Sequence, residues 1–237
     1  MTAIMIETQF CGPPHSGNGG YTAGLLGRHF DGPSCVRLHS APPLDRPLQI
    51  VTVDDQLLLK HEALVIASAK PTRPLAPAPS PPSLQQAKAG RECYIKVDQH
   101  PFTRCFVCGP RRIAGDGLCV FTGPVAGTDL VACDWVAHAN FVDDQGHVRE
   151  EFIWSALDCP SFFALNIPAK SGKVLLLGKM SASIDHPVPS SDALVVYGWK
   201  THSEGRKYSC GAAIANQDGV VLARAEHLWI ELKAATE

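Results

Sequence analysis

At 237 residues, 45% hydrophobic and 19% charged, the sequence describes a compact protein with a sizeable core, as one large domain or two smaller ones. A formal net charge of −2 gives no general attraction to nucleic acid or to an anionic membrane. No apolar run approaches the ~18 residues a membrane span needs, and the N-terminal MTAIMIETQF lacks the basic start and apolar stretch of a secretory signal. Nine cysteines, an odd count scattered over strand-like and helix-like segments, read as reduced thiols of a cytoplasmic protein.

Residues 1–10 read as a short strand. In CGPPHSGNGGYTAGLLGRHF the prolines break structure and Gly17, Gly19 and Gly20 permit a tight turn. Tyr21 to His29 reads as a helix that stops at Gly32-Pro33. Three strand-like runs follow: Cys35–Ser40, Leu48–Asp54 and Leu57–Ser68. Six prolines between Pro71 and Pro82 mark residues 70–92 as an extended, loosely packed connector, and the domain boundary is placed there. Beyond it, Cys93–Val97, Leu118–Phe121 and Leu130–Val136 read as strands, with HPFTRCFVCGPRRIAGDG as a loop between the first two. A helix from Glu150 to about Leu165 comes next. The strand-like runs Val174–Ile184, Ala193–Ser203, Tyr208–Asn216 and Val220–Leu232 close the chain, with a hairpin turn at Gln217-Asp218-Gly219. Each half thus reads strand, one helix, antiparallel strands, a degenerate repeat of roughly 100 residues.

The segment EEFIWSALDCPSFFA is apolar around most of a helical surface, so it is expected to be buried nearly all round. Asp158 is the only charged residue between Glu151 and Lys170. A carboxylate buried there is costly unless paired, hydrated or functional, and desolvation raises its pKa. It is either a core group satisfied by a backbone N–H or an Arg, or a general base or nucleophile held near neutral pH.

The segments GNGGYTAGLLG, WSALD, SASIDH and NQDGVVLARAEHLW, in this order of strand, helix and strands, resemble the hotdog-fold thioesterases, and the doubling resembles their tandem acyl-CoA thioesterases. The resemblance implies an α+β double hotdog: two antiparallel sheets, each wrapped around a central helix. Its divisions are an N-terminal hotdog at 1–70, a linker at 71–92 and a C-terminal hotdog at 93–237. It implies hydrolysis of an acyl thioester carried by coenzyme A or a carrier protein, with a dehydratase, hydratase, cyclase or non-catalytic acyl-CoA-binding protein as alternatives. No cofactor, no metal and no nucleic-acid partner are expected. Hotdog units usually pair, so the chain either self-associates through sheet edges or already holds that pairing internally.

The family's helix opens on a His-Gly-Gly-like turn with a carboxylate eight residues after the first glycine. Here Asn18, Gly19 and Gly20 fill that turn, and Gly27 stands where the acid would be. The second helix has the acid, Asp158, but Glu150 and Glu151 in place of the glycines. The resemblance therefore implies one composite site. Gly19 and Gly20 supply N–H donors, and Asp158 acts with the hydroxyl of Ser183 and with His227, which replaces a family glutamine. Asn18 and His15 either line this site and bind the substrate or serve as turn and cap residues.

Other patterns are weaker. Cys105-x-x-Cys108, with His100 and Cys119 nearby, has zinc-ligand character, but no second pair stands at finger spacing, so the cysteines read as reduced loop residues. Cys159 reads as packing. The glycines fail the dinucleotide fingerprint at Thr22, and no Gly-x-Ser-x-Gly elbow is present.

Overall fold

The computed structural model describes residues 2–166, 171 and 173–232. Eleven strands pair antiparallel throughout: β1 (Thr2–Met5), β2 (Ser34–Leu38), β3 (Pro47–Val53), β4 (Gln56–His61), β5 (Leu64–Pro71), β6 (Gly123–Pro124), β7 (Leu130–Trp135), β8 (Leu175–Ile184), β9 (Leu194–Glu204), β10 (Lys207–Ala215) and β11 (Val221–Glu231). Their order is β1-β3-β4-β5-β2-β8-β11-β10-β9-β7-β6. The two sheets expected from the sequence are therefore one. β2 and β8 join the halves, in register from Ser34 opposite Ala182 to Arg37 opposite Lys179.

Among the described residues three α-helices accompany the sheet: α1 (Gly19–Gly27), α2 (Leu84–Glu92) and α3 (Glu150–Phe163). The chain is α+β. α1 packs on β2 and β5, α3 packs on β9, β10 and β11, and the two helices pack on each other. Residues 151–161 of α3 are all buried, and they share one apolar core with α1 and the inner sheet face. A helix enclosed on every side must carry apolar residues around its whole circumference, as the sequence of α3 does.

Some local expectations need correction. The run Leu57–Ser68 is a hairpin, not one strand: Glu62 turns the chain at φ +53°, and β4 pairs with β5. Neither Cys93–Val97 nor Leu118–Phe121 is a strand. Instead the amides of Leu118 and Val120 donate to the carbonyls of Phe106 and Val107 at 2.9 Å each, clamping the cysteine loop from one side. Residues 84–92, expected to be extended, form α2. Ser83 and Gln86 cap it reciprocally, and Ala87 and Gly90 are buried. Gly90 has to be glycine, because a Cβ there would meet the carbonyl oxygen of Ala132.

The proline-rich residues before α2 are extended but not loose. Leu75 is buried, the Ala76 amide donates to Glu226 Oε1 at 3.1 Å, and the hydroxyl of Tyr197 donates to the carbonyl of Pro79 at 2.8 Å. Tyr197→Phe keeps the ring and removes that one bond, so it should cost about 1 kcal/mol in denaturant unfolding. It should also speed proteolysis between Pro71 and Pro82. An unchanged cleavage rate there shows that the hydroxyl does not pin the segment.

Candidate active site

The chain enters α1 through Asn18, whose side chain does two things. Its Oδ1 accepts from the Tyr21 amide at 2.8 Å, capping the helix, and its Nδ2 donates to Asp158 Oδ2 at 3.0 Å. The Gly20 amide, in the first turn of α1, donates to the same carboxylate oxygen at 3.0 Å. Residues 138 positions apart in sequence thus meet through one oxygen. The first-turn N–H groups of a helix have no intrahelical acceptor and carry the positive end of its dipole, so this is a favourable seat for an anion.

Close approach makes the contact possible. A Cβ on Gly20 would lie 2.6 Å from Asp158 Cβ, and one on Gly24 would lie 2.7 Å from Glu151 Cα. Gly27, in the place of the family acid, packs against the Trp154 indole. On the far side of α3, the Trp229 indole donates to Ser161 Oγ at 2.8 Å, and that hydroxyl donates to the Asp158 carbonyl at 2.7 Å. Asp158 is therefore fixed from both sides.

Asp158 Oδ1 is buried, with no hydrogen-bond partner among the described residues. Burial pushes the Asp158 carboxyl up to about 7, against the lowering effect of the Gly20 amide and the Asn18 side chain. The carboxylate lines a cavity of about 470 Å³ together with Asn18 and Gly19. Most of its wall is apolar, from Leu38, Phe102, Phe162, Leu175, Leu177 and Ile230. At the start of α3, where the sequence has two acids, Glu151 is buried and paired with Arg28 at 3.5 Å and Arg149 at 3.8 Å.

The structure brings Asn18, Gly19, Gly20 and Asp158 together. It leaves the other three expected residues outside this cavity. His15 is exposed on the preceding turn and is absent from the lining. Ser183 sits farther along β8, where its hydroxyl donates to Asp185 Oδ1 at 2.7 Å. His227 belongs to a separate cleft of about 310 Å³, with Leu75, Ala76 and Trp199. Burial holds His227 down at about 3, so it is neutral.

Two features of the wall were not assigned to this site from sequence. His100 is 6% exposed and lines the cavity. Its Nδ1 accepts from the Phe102 amide at 3.0 Å, so in the neutral ring Nε2 carries the hydrogen, and that N–H has no partner among the described residues. Burial lowers the His100 pKa and keeps the ring neutral. The second feature is a group of three buried cysteines. Cys105, Cys108 and Cys159 converge on the cavity, with the Cys105 and Cys159 sulfurs 3.8 Å apart. Hydrogen bonds with the Cys108 and Cys159 side chains hold Cys105 well below the usual thiol range, and the amides of Cys108 and Val107 add to this.

Among solved structures, the chain is similar to an acyl-CoA thioesterase II, TesB2, from Mycobacterium marinum, with TM-score 0.60 and 10% identity over 92% of this chain and 90% of that one. It is similar to a conserved protein from Alicyclobacillus acidocaldarius solved with a hot dog fold, with TM-score 0.56 and 11% identity over 98% and 93%. The chain has the hotdog fold. A third likeness is to a protein assigned as thioesterase II from Thermobifida fusca, with TM-score 0.61 and 14% identity over 98% and 93%. No protein-family model matches this sequence, and no curated protein matches it. At these identities the shared hotdog architecture is what the likeness carries.

Proposed function

We propose that the chain hydrolyses an acyl thioester, with acyl-CoA as the substrate class, at one composite site between α1 and α3. The carrying observation is the Asp158 carboxylate. One oxygen is held by Asn18 and Gly20. The other is buried, unpartnered and beside an apolar cavity that suits an acyl chain. In this reading Asp158 takes a proton from a water whose oxygen attacks the thioester carbonyl. The carbon–sulfur bond then breaks, and the thiolate leaves with the proton that Asp158 returns. Gly19 and His100 both line the cavity, and in this reading their N–H groups serve the developing oxyanion. His15, Ser183 and His227 take no part in this step, because they lie off the cavity. The structural neighbours assigned as thioesterases accord with this chemistry.

In the same proposal each half is one hotdog, residues 1–70 and 93–237, joined by 71–92. Strand order supports this: β1 to β5 lie together on one side of the β2–β8 junction, and β6 to β11 on the other. The single sheet is then two hotdog sheets fused edge to edge.

Turnover of a panel of acyl-CoAs, read by free-thiol release, tests the activity. Binding of the same panel without thiol release would favour a non-catalytic acyl-CoA carrier. Consumption of an enoyl-CoA without thiol release would favour a hydratase. The role of Asn18 has its own test. Asn18→Ala removes both the cap and the donor to Asp158. It should lose about 1 kcal/mol of stability and lower turnover roughly tenfold or more, the scale of a hydrogen bond to a charged group. Asn18→Ser keeps a capping oxygen, so it should recover most of the stability and little of the rate. Full rate in Asn18→Ser removes the side-chain amide from the chemistry.

A further inference from the structure

Cys105, Cys108 and Cys159 place their sulfurs within 4.8 Å of one another, with the Cys105–Cys159 pair at 3.8 Å. A tetrahedral ion with metal–sulfur distances of about 2.3 Å separates its sulfurs by about 3.8 Å. Buried cysteines without such a role pack singly as small apolar groups. Cys133 and Cys210 do so here, outside this group. The three that converge come from two elements, a loop and a helix, with 54 positions between Cys105 and Cys159.

The loop has the build of a ligand loop. The Gly109 amide donates to the Cys105 carbonyl at 2.9 Å, and a Cβ on Gly109 would stand 2.6 Å from the Cys105 nitrogen, so only glycine lets the turn close. The Phe106 amide donates to the Cys11 carbonyl at 2.7 Å, and the Phe106 carbonyl accepts from Leu118 at 2.9 Å. The turn is thus held on both edges before any ion binds. Asn18 Nδ2 lies 3.9 Å from the Cys105 sulfur, an outer donor of the sort that orients a thiolate ligand.

We propose that Cys105, Cys108 and Cys159 bind one thiophilic divalent cation, zinc by class, as three thiolates, with the fourth coordination position open to the cavity. All three residues line that cavity, so the side away from the protein faces the space where a substrate or water sits. His100 is not the fourth ligand as placed. Its Nδ1 is engaged by the Phe102 amide, and its Nε2 carries the hydrogen. Three protein ligands with an open position are the pattern of reactive zinc sites, whereas closed structural sites use four.

Ion content is measured without substrate, so this inference stands or falls apart from the thioesterase reading. The full chain is purified reduced, in zinc-supplemented medium, and passed over a weak chelator. The expected result is one zinc per chain by elemental analysis. Exchange with cobalt(II) should give a thiolate-to-cobalt charge-transfer band and a tetrahedral visible spectrum. Cys105→Ser and Cys159→Ser should drop the retained ion to near zero, whereas Cys35→Ser, outside the group, should keep the full equivalent. A folded, reduced wild-type protein that holds no zinc and gives no cobalt band overturns the proposal. A disulfide between any two of the three, or one equivalent of ion retained in Cys159→Ser, overturns it as well. The wild-type measurements decide the matter even where a variant fails to fold.

Discussion

Asp158→Asn should lower thioester turnover by about 10²-fold or more, in a protein that folds as stably as the wild type. The amide keeps the shape of the carboxylate. Its oxygen can still accept from Asn18 Nδ2 and from the Gly20 amide, the two donors that hold Oδ2 at 3.0 Å. What it loses is the basic lone pair on Oδ1, the oxygen without a partner. Because burial already opposes ionisation of Asp158, a neutral amide relieves a desolvation cost, and the melting temperature should not fall. Asp158→Ala would be a poorer test. It orphans two buried donors at about 1–3 kcal/mol each, so lost activity could not be separated from lost structure. The measurement is kcat on the best acyl-CoA substrate beside a thermal melt. A folded Asn variant with wild-type kcat removes Asp158 from the reaction and leaves it as a structural link between α1 and α3.

Asp158 stood out in sequence because one charge in a helix apolar all round is a local contrast. It needs no knowledge of the fold. The helix boundaries were legible for the same reason, and so were the long strands β8 to β11, whose turns carry strong signals such as Asp218-Gly219. The α2 helix was written in the sequence too, as the capping box Ser83-x-x-Gln86, but the proline composition just before it outweighed that signal. The β4–β5 turn hid because Glu62 takes a left-handed conformation that usually goes to Gly or Asn. One sheet in place of two could not be read at all: the β2–β8 pairing joins strands about 145 positions apart, and no local pattern encodes it. The same holds for the wall of the cavity. His100, Cys105 and Cys108 meet Asp158 there only through tertiary packing, whereas Ser183 and His227 were matched by motif and lie off it.

Gly20→Ala should be strongly destabilising. The added Cβ would stand 2.6 Å from Asp158 Cβ, 2.8 Å from the Trp154 carbonyl oxygen and 3.1 Å from Ser155 Cα. Backbone atoms of a helix enclosed by sheet cannot yield as a side-chain tip can, so α1 and α3 must separate. Overpacking of this sort costs about 1–3 kcal/mol and occasionally more. Separation also stretches the Gly20-to-Asp158 bond, a charge-assisted contact of roughly 1.5–3 kcal/mol when Asp158 is ionised. For a chain of this size 1 kcal/mol moves the melting temperature by about 2–4 °C, so a fall of roughly 5–15 °C is expected. Turnover should fall with it, because the carboxylate loses one of its two anchors. Gly19→Ala is the comparison that isolates the cause. Its nearest obstacle is the end of the Leu177 side chain at 2.9 Å, which can rotate away, and alanine suits a first helical turn better than glycine. Its melting temperature should stay within about 3 °C of wild type. Equal losses in the two variants would mean that helix entry, not the closeness of α1 to α3, sets the requirement for glycine. A Gly20→Ala protein that melts like the wild type would mean that the helices can part without cost, and the seat for Asp158 is then not built by their contact.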